Sequence, residues 1–82
     1  GNLVFGTAPN NQPHDTASIE RMIITSEGEV GIGISIPPSK LTVKGGDIEV
    51  EDNGDGLILS SPNGTRYRIT VDNSGNLSTS AV

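Results

Sequence analysis

The sequence predicts an all-β protein, and three observations support this fold class. Apolar and polar residues alternate in several short segments, which is the pattern of strands that bury one face. Gly, Pro, Asn or Asp separates these segments, and the 82 residues include 11 Gly and 5 Pro. No stretch repeats its apolar residues with the period of a helix.

The N-terminal residues 1–18 are predicted to be an extended arm and linker. Leu3, Val4 and Phe5 form an isolated apolar patch. Two prolines and three side-chain amides follow between residues 9 and 13, where proline cannot donate to a β-ladder. We therefore place the β-structured domain at residues 19–82.

Seven strands are predicted in that domain, each bounded by turn residues. They are residues 21–25, 30–34, 40–44, 47–51, 57–60, 66–71 and 77–80. Asn63-Gly64 is the strongest hairpin signal, because both residues tolerate the backbone angles of a tight turn. The sequence contains a weak internal repeat. The segments that begin at Arg21 and at Arg66 are each predicted to form a strand, a Gly turn and a second strand.

Charged residues are predicted to occupy one face of several strands. Asp47, Glu49 and Glu51 alternate with apolar residues in the segment 47–51. We expect this acidic face to lie beside a basic strand of the same or a neighbouring chain. The candidate basic residues are Arg66 with Arg68, or Lys40 with Lys44.

The segment 30–36 is predicted to have one apolar face and one face of bare backbone. Val30, Ile32, Ile34 and Ile36 share one parity, and Gly31, Gly33 and Ser35 share the other. Glycine within a strand often marks a close approach of another backbone. We expect that approach to come from copies of the same chain.

The small apolar content indicates that the core is shared between chains. Only 32% of residues are hydrophobic and 2% aromatic, and there is no Cys. Domains of this size have marginal cores unless disulfides, metals or oligomerisation help. Oligomerisation is the route that this composition leaves open.

The net charge of −5 argues against nucleic acid as a partner, because binding to phosphate depends on Lys and Arg. It also argues against electrostatic attachment to anionic membranes. No apolar run approaches the ~20 residues that a membrane-spanning helix needs.

Few residues suggest a chemical site, and the sequence predicts neither an enzyme nor a cofactor. Asp52 and Asp55 lie in a Gly-rich turn whose oxygens suit Ca²⁺, but the spacing is not that of an EF-hand. A solvated acidic turn is the competing interpretation. His14 is predicted to be exposed, although three copies on a symmetry axis would be able to bind a metal.

The chain contains ERMIITSEGEVGIG at residues 20–33 with PPSKLTV at 37–43, and LILSSPNGTRYRITVD at 57–72 with GNLS at 75–78. These segments resemble bacteriophage tail fibres and phage-like adhesins. The resemblance implies an intertwined homotrimeric β-prism or triple β-helix, often placed before a C-terminal chaperone domain. It also implies a virion-tail or extracellular location and a role in attachment to the host surface.

Under this interpretation the chain is a structural fibre segment that gives a rigid shaft or tip. If it binds a host cell-surface glycan, the candidate residues are Asn53, Asp55, Asn73 and Asn76, which lie in two loops. One alternative is a self-polymerising extracellular filament subunit in which Leu3 to Phe5 form a donor strand. Another is a carbohydrate-binding module of a depolymerase tailspike.

Overall fold

The computed structural model describes residues 1–8 and 18–82 and shows an all-β protein with two small sheets. Its strands are β1 (Leu3–Thr7), β2 (Ile19–Ile24), β3 (Val30–Ile32), β4 (Leu41–Val43), β5 (Leu57–Ser60), β6 (Arg66–Val71) and β7 (Leu77–Ala81). In the described part of the chain, no helix has the length and apolar character needed to cross a bilayer.

The first compact unit, Gly1–Ile48, holds a four-stranded sheet in the order β1-β2-β3-β4. The pairs β1–β2 and β2–β3 are antiparallel, whereas β3 and β4 run parallel. The parallel pair requires a crossover, which residues 33–40 supply. This connection is shorter than the dozen or more residues that usually join parallel strands.

Strand β1 belongs to this sheet, although the sequence predicted residues 1–18 to be an arm outside the β domain. It pairs with β2 of its own chain, with a register shift between Phe5 and Gly6. Two side chains fasten it further. The backbone N–H of Ser26 donates to Oδ1 of Asn2, and Nε of Arg21 donates to Oγ1 of Thr7, each at 2.7 Å.

The second unit, Glu49–Val82, holds an antiparallel sheet in the order β5-β6-β7. The predicted bounds of β5 and β6 are confirmed to the residue, and β7 extends one residue beyond its prediction. Tyr67 pairs with both Leu59 and Ala81, so the central strand fixes the register of its neighbours.

The three hairpin turns within residues 18–82 share one construction. Each joins two strands through a loop whose fourth residue is a Gly with positive φ, namely Gly28, Gly64 and Gly75. In each turn the glycine N–H donates to the carbonyl three residues earlier. This is the type I turn with a left-handed residue that a twisted hairpin favours.

One predicted strand is absent and three have other bounds, since β2 is Ile19–Ile24 instead of 21–25, β4 is Leu41–Val43 instead of 40–44, and β3 is shorter than predicted. Residues 47–51 form no strand, so the predicted ladder of Asp47, Glu49 and Glu51 is absent. Strand β3 ends at Ile32 instead of Ile34, because Gly33 takes a φ of 77° and stops the alternation. The continuous apolar face ending at Ile36 therefore does not form, and Ile36 is 85% exposed.

The buried positions among the described residues are Ile23, which is 4% exposed, Gly31, and Pro37 of the crossover. The crossover packs beside Ile23, since Ile34 lies close to Gly31, the residue opposite Ile23. A methyl group on Gly31 would collide with the carbonyl oxygen of Ile34, and one on Gly33 with that of Lys44. The close approach predicted for these glycines thus occurs within one chain.

Candidate functional site

The second sheet has one nearly continuous apolar face. Cross-strand partners share a face, so the pairing of Leu57 with Ile69 and of Leu59 with Tyr67 sets its composition. The face consists of Leu57, Leu59, Tyr67, Ile69, Val71, Leu77, Thr79 and Ala81. Alternation in the sequence already separates Tyr67, Ile69 and Val71 from Arg66 and Arg68 in β6, and the register extends this parity to all three strands.

This face is uncovered in the single chain. Leu57 is 61% exposed, Leu59 58% and Leu77 75%. None of the residues 49–82 is buried. A three-stranded sheet needs a packed apolar face for independent stability, so this unit lacks the burial that a stable fold requires.

The first sheet has an apolar face of the same kind. The register puts Leu3, Phe5, Met22, Ile24, Val30, Ile32, Leu41 and Val43 on one side. Leu3, Phe5 and Leu41 are each about half exposed or more. The opposite side carries Ile23 and is the one that the crossover covers.

Covering these faces would stabilise the fold considerably. Burying one Leu, Ile or Phe side chain contributes about 1.5–3 kcal/mol. Even a few such residues on each sheet match the 5–15 kcal/mol by which domains are typically stable. Covering the exposed faces would therefore add substantially to the free energy of unfolding.

The apolar face of the second sheet contains a shallow depression of about 290 Å³. Leu59, Tyr67, Ile69 and Thr79 line it, and Ser60 and Ser61 lie at its margin. The lining is mostly apolar, so the depression suits an aliphatic side chain from a partner rather than a charged ligand.

A second, polar groove of about 390 Å³ lies between two loops of the same unit. Residues 50–55 and 70–73 line it. It brings together Asp52, Asn53, Asp55 and Asn73, which the sequence placed in separate turns. Asn76, the remaining candidate, does not line it.

Asn76 instead helps to hold the β6–β7 turn. Its backbone N–H donates to Oδ1 of Asp72 at 2.9 Å, and the N–H of Ser74 donates to the same oxygen at 2.9 Å. These hydrogen bonds, that of Asn76 first, lower the pKa of the exposed Asp72 carboxyl below its ordinary value of 3.8. Asp72 is thus a turn-forming residue.

Among the described residues, the fold does not place further ligand side chains beside Asp52 and Asp55, the residues predicted to bind calcium. Within residues 1–8 and 18–82, no group of three or more His, Cys, Asp and Glu side chains is placed to hold a metal ion. His14 lies outside the described residues.

Comparison of the chain with protein-family models, with curated proteins and with solved structures found no match. The resemblance to tail fibres is therefore a prediction from the motifs alone. What supports a function is the geometry of the two sheets, each with one uncovered apolar face.

Sequence reasoning predicted part of the first of these faces, because Val30 and Ile32 share one parity, but it did not join this part to the other strands. Leu41 and Val43 alternate with polar residues in the sequence, as strand residues do. Their pairing with β3 depends on a parallel crossover, which alternation does not reveal. Leu3 and Phe5 were assigned to an arm, because a long connection separates them from their partner strand.

Proposed function

We propose that this chain is a structural segment of a trimeric, phage-type tail fibre or adhesin. Three copies share one core and form a stiff shaft or tip for attachment to a host surface, on a virion tail or in the extracellular space. The observation that carries the proposal is the pair of apolar faces, one on each sheet, that a single chain leaves exposed.

Identical copies are the partners that best satisfy these faces. Each face is extended, nearly free of charge and made mostly of aliphatic residues, so copies of it match each other in size and polarity. Three sheets with their apolar faces turned inward make a triangular prism, in which every chain contributes one side. Such an arrangement places the interior residues, including Leu59 and Tyr67, between chains.

The function so proposed is mechanical, with no reaction attached. The chains share one core, so each chain is folded only while the others are present. A chain can therefore dissociate only by unfolding its part of that core. The polar groove at residues 50–55 and 70–73 then occurs three times per assembly. Weak contacts of a groove with a surface glycan would gain from this repetition.

The test compares two substitutions at neighbouring positions of β5, Leu59→Asp and Ser60→Asp. The two residues lie on opposite faces of the strand, and both are exposed in the single chain. We expect light scattering at micromolar concentration to give a trimer mass for the parent chain and for Ser60→Asp. Leu59→Asp should be monomeric or unfolded, because it places a charge in the shared core.

The proposal fails if the parent chain is a compact monomer that melts cooperatively in dilute buffer. It also fails if the two variants keep the same mass as each other, because the faces would then not differ in function. Long polymers in place of trimers would favour the filament subunit.

The filament alternative has one observation in its favour. Strand β1 lies at the edge of its sheet, and all five of its residues are exposed. A strand in that position can pair equally with β2 of another copy. Deletion of residues 1–6 separates the two proposals, since loss of long fibres with trimers intact supports the filament and an unchanged assembly supports the isolated fibre segment.

A further inference from the structure

The second sheet has a polar face opposite its apolar one, and this face carries two arginines among hydroxyl groups. The register places Ile58, Ser60, Arg66, Arg68, Thr70, Ser78 and Ser80 on this side. Arg66 pairs with Ser60, and Arg68 pairs with both Ile58 and Ser80. Each guanidinium therefore has a serine on an adjacent strand.

The two arginines are held differently. Arg68 is half-buried, whereas Arg66 is exposed. The stem of Arg68 runs beside Gly56, where a methyl group would lie 3.5 Å from its Cγ. Packing along the stem restricts the side chain and leaves the guanidinium at the surface, as is usual for arginine.

Neither guanidinium is engaged by a neighbour in the described part of the chain. The hydrogen bonds between side chains there join Arg21 to Thr7, Ser61 to Asn63 and Thr70 to Ser78. Residues 47–51, the acidic segment predicted to lie beside Arg66 and Arg68 or beside Lys40 and Lys44, form no strand. The face thus presents two free planar donor groups in a chain whose net charge is −5.

We propose that this face binds a polysaccharide that carries carboxylates, such as a polyuronate. The inference rests on the proposed function, because three apolar faces turned inward leave three of these polar faces turned outward. A guanidinium matches the two coplanar oxygens of a carboxylate in a bidentate pair. The hydroxyls of Ser60, Thr70 and Ser80 both donate and accept hydrogen bonds, as a sugar polyol requires.

An acidic peptide, including the segment 47–51 of a second copy, fits the same face less well. That segment forms no strand, so its carboxylates do not alternate regularly to meet Arg66 and Arg68. A carboxylate-only partner would also leave the hydroxyls unused. A polyuronate uses both features of the surface.

The test measures binding of alginate oligosaccharides to the full chain by calorimetry, with dextran, dextran sulfate and polyglutamate as comparison ligands. The variant Arg66→Gln/Arg68→Gln is compared with Lys40→Gln/Lys44→Gln, which removes the same charge from the first unit. We expect the arginine variant to lose about tenfold or more in alginate affinity, while the lysine variant changes less than about twofold. Raising the salt from about 50 to about 200 mM should weaken binding, because part of it is between exposed charges.

Several results would overturn the proposal. They are no binding of alginate, equal loss in both variants, binding of dextran as tight as that of alginate, and binding of polyglutamate or dextran sulfate tighter than that of alginate. Light scattering on the same samples distinguishes failure of the binding site from failure of the chain to form a trimer. A trimer that ignores alginate refutes the site alone, and a monomer refutes the proposed function.

Discussion

The side chain of Ile23 packs against Gly31, the residue directly opposite it in the β2–β3 pair. A methyl group on Gly31 would lie 3.1 Å from Cγ2 of Ile23 and 3.2 Å from Cγ2 of Ile34, and would collide with the Ile34 carbonyl oxygen. The glycine thus lets strand and crossover close over Ile23, which together with Pro37 is buried among the described residues. The packed part of the single chain depends on the absence of one Cβ.

Replacing Gly31 by Ala should destabilise the protein by about 1–3 kcal/mol, because the added methyl group has to displace backbone. Chemical denaturation measures this change. The control is Gly46→Ala, since nothing lies within 4 Å of a methyl group there. Equal stability of the two variants would show that the crossover does not pack as described.

The β6–β7 turn should weaken in acid because of Asp72. The folded chain holds the pKa of this carboxyl below 3.8, so its stabilising effect is fully present above that pH. The effect is lost as the pH falls through the lower pKa of the folded state. Nuclear magnetic resonance titration of the Asp72 carboxyl and melting curves between neutral and strongly acidic pH measure both changes.

Asp72→Asn is the matched control for this pH dependence. Its side-chain oxygen still accepts hydrogen bonds from the N–H groups of Ser74 and Asn76 but does not titrate. The pH dependence of melting should therefore be smaller in the variant than in the parent chain. An unchanged dependence would assign acid sensitivity to the other carboxylates.

The melting temperature should depend on protein concentration, because the proposed core is shared between chains. Mass action stabilises an oligomer as concentration rises. For a trimer of chains of this size, a hundredfold increase in concentration should raise the melting temperature by roughly 8–16 °C. Calorimetry over that range measures the shift, and a constant melting temperature would contradict a shared core.

The second sheet was predictable because its information is local. Each of its strands is joined to the next by a short turn, and Gly64 and Gly75 mark the position where φ must be positive. Alternation then sets which residues share a face. Strand bounds, turn positions and the apolar parity of β6 all follow from neighbouring residues.

The segments 30–36 and 47–51 show where local pattern is insufficient. Val30 to Ile36 alternates in the sequence, yet the alternation stops at Gly33, where the chain turns toward its parallel partner strand. Residues 47–51 alternate as well, but no strand within residues 1–8 and 18–82 pairs with them. A strand persists only if another backbone accepts its hydrogen bonds, and alternation does not identify that partner.

The candidate binding residues show the same division. Asp52, Asn53, Asp55 and Asn73 were recognisable as loop residues, but only the folded sheet brings the two loops to one groove. Arg66 and Arg68 were recognisable as one face of a strand, whereas their serine neighbours come from β5 and β7. Pairing between strands therefore decides which residues come together in a site.

The amino-acid order by itself determined the β class, the glycine turns and the alternation within each hairpin, because these depend on the backbone preferences of adjacent residues. Tertiary structure alone decided that β1 completes the first sheet, that β3 and β4 run parallel, and that Gly31 closes over Ile23. The first two features join strands that no short turn connects, and the third depends on the packing of the crossover, so the free energy of packing decides them.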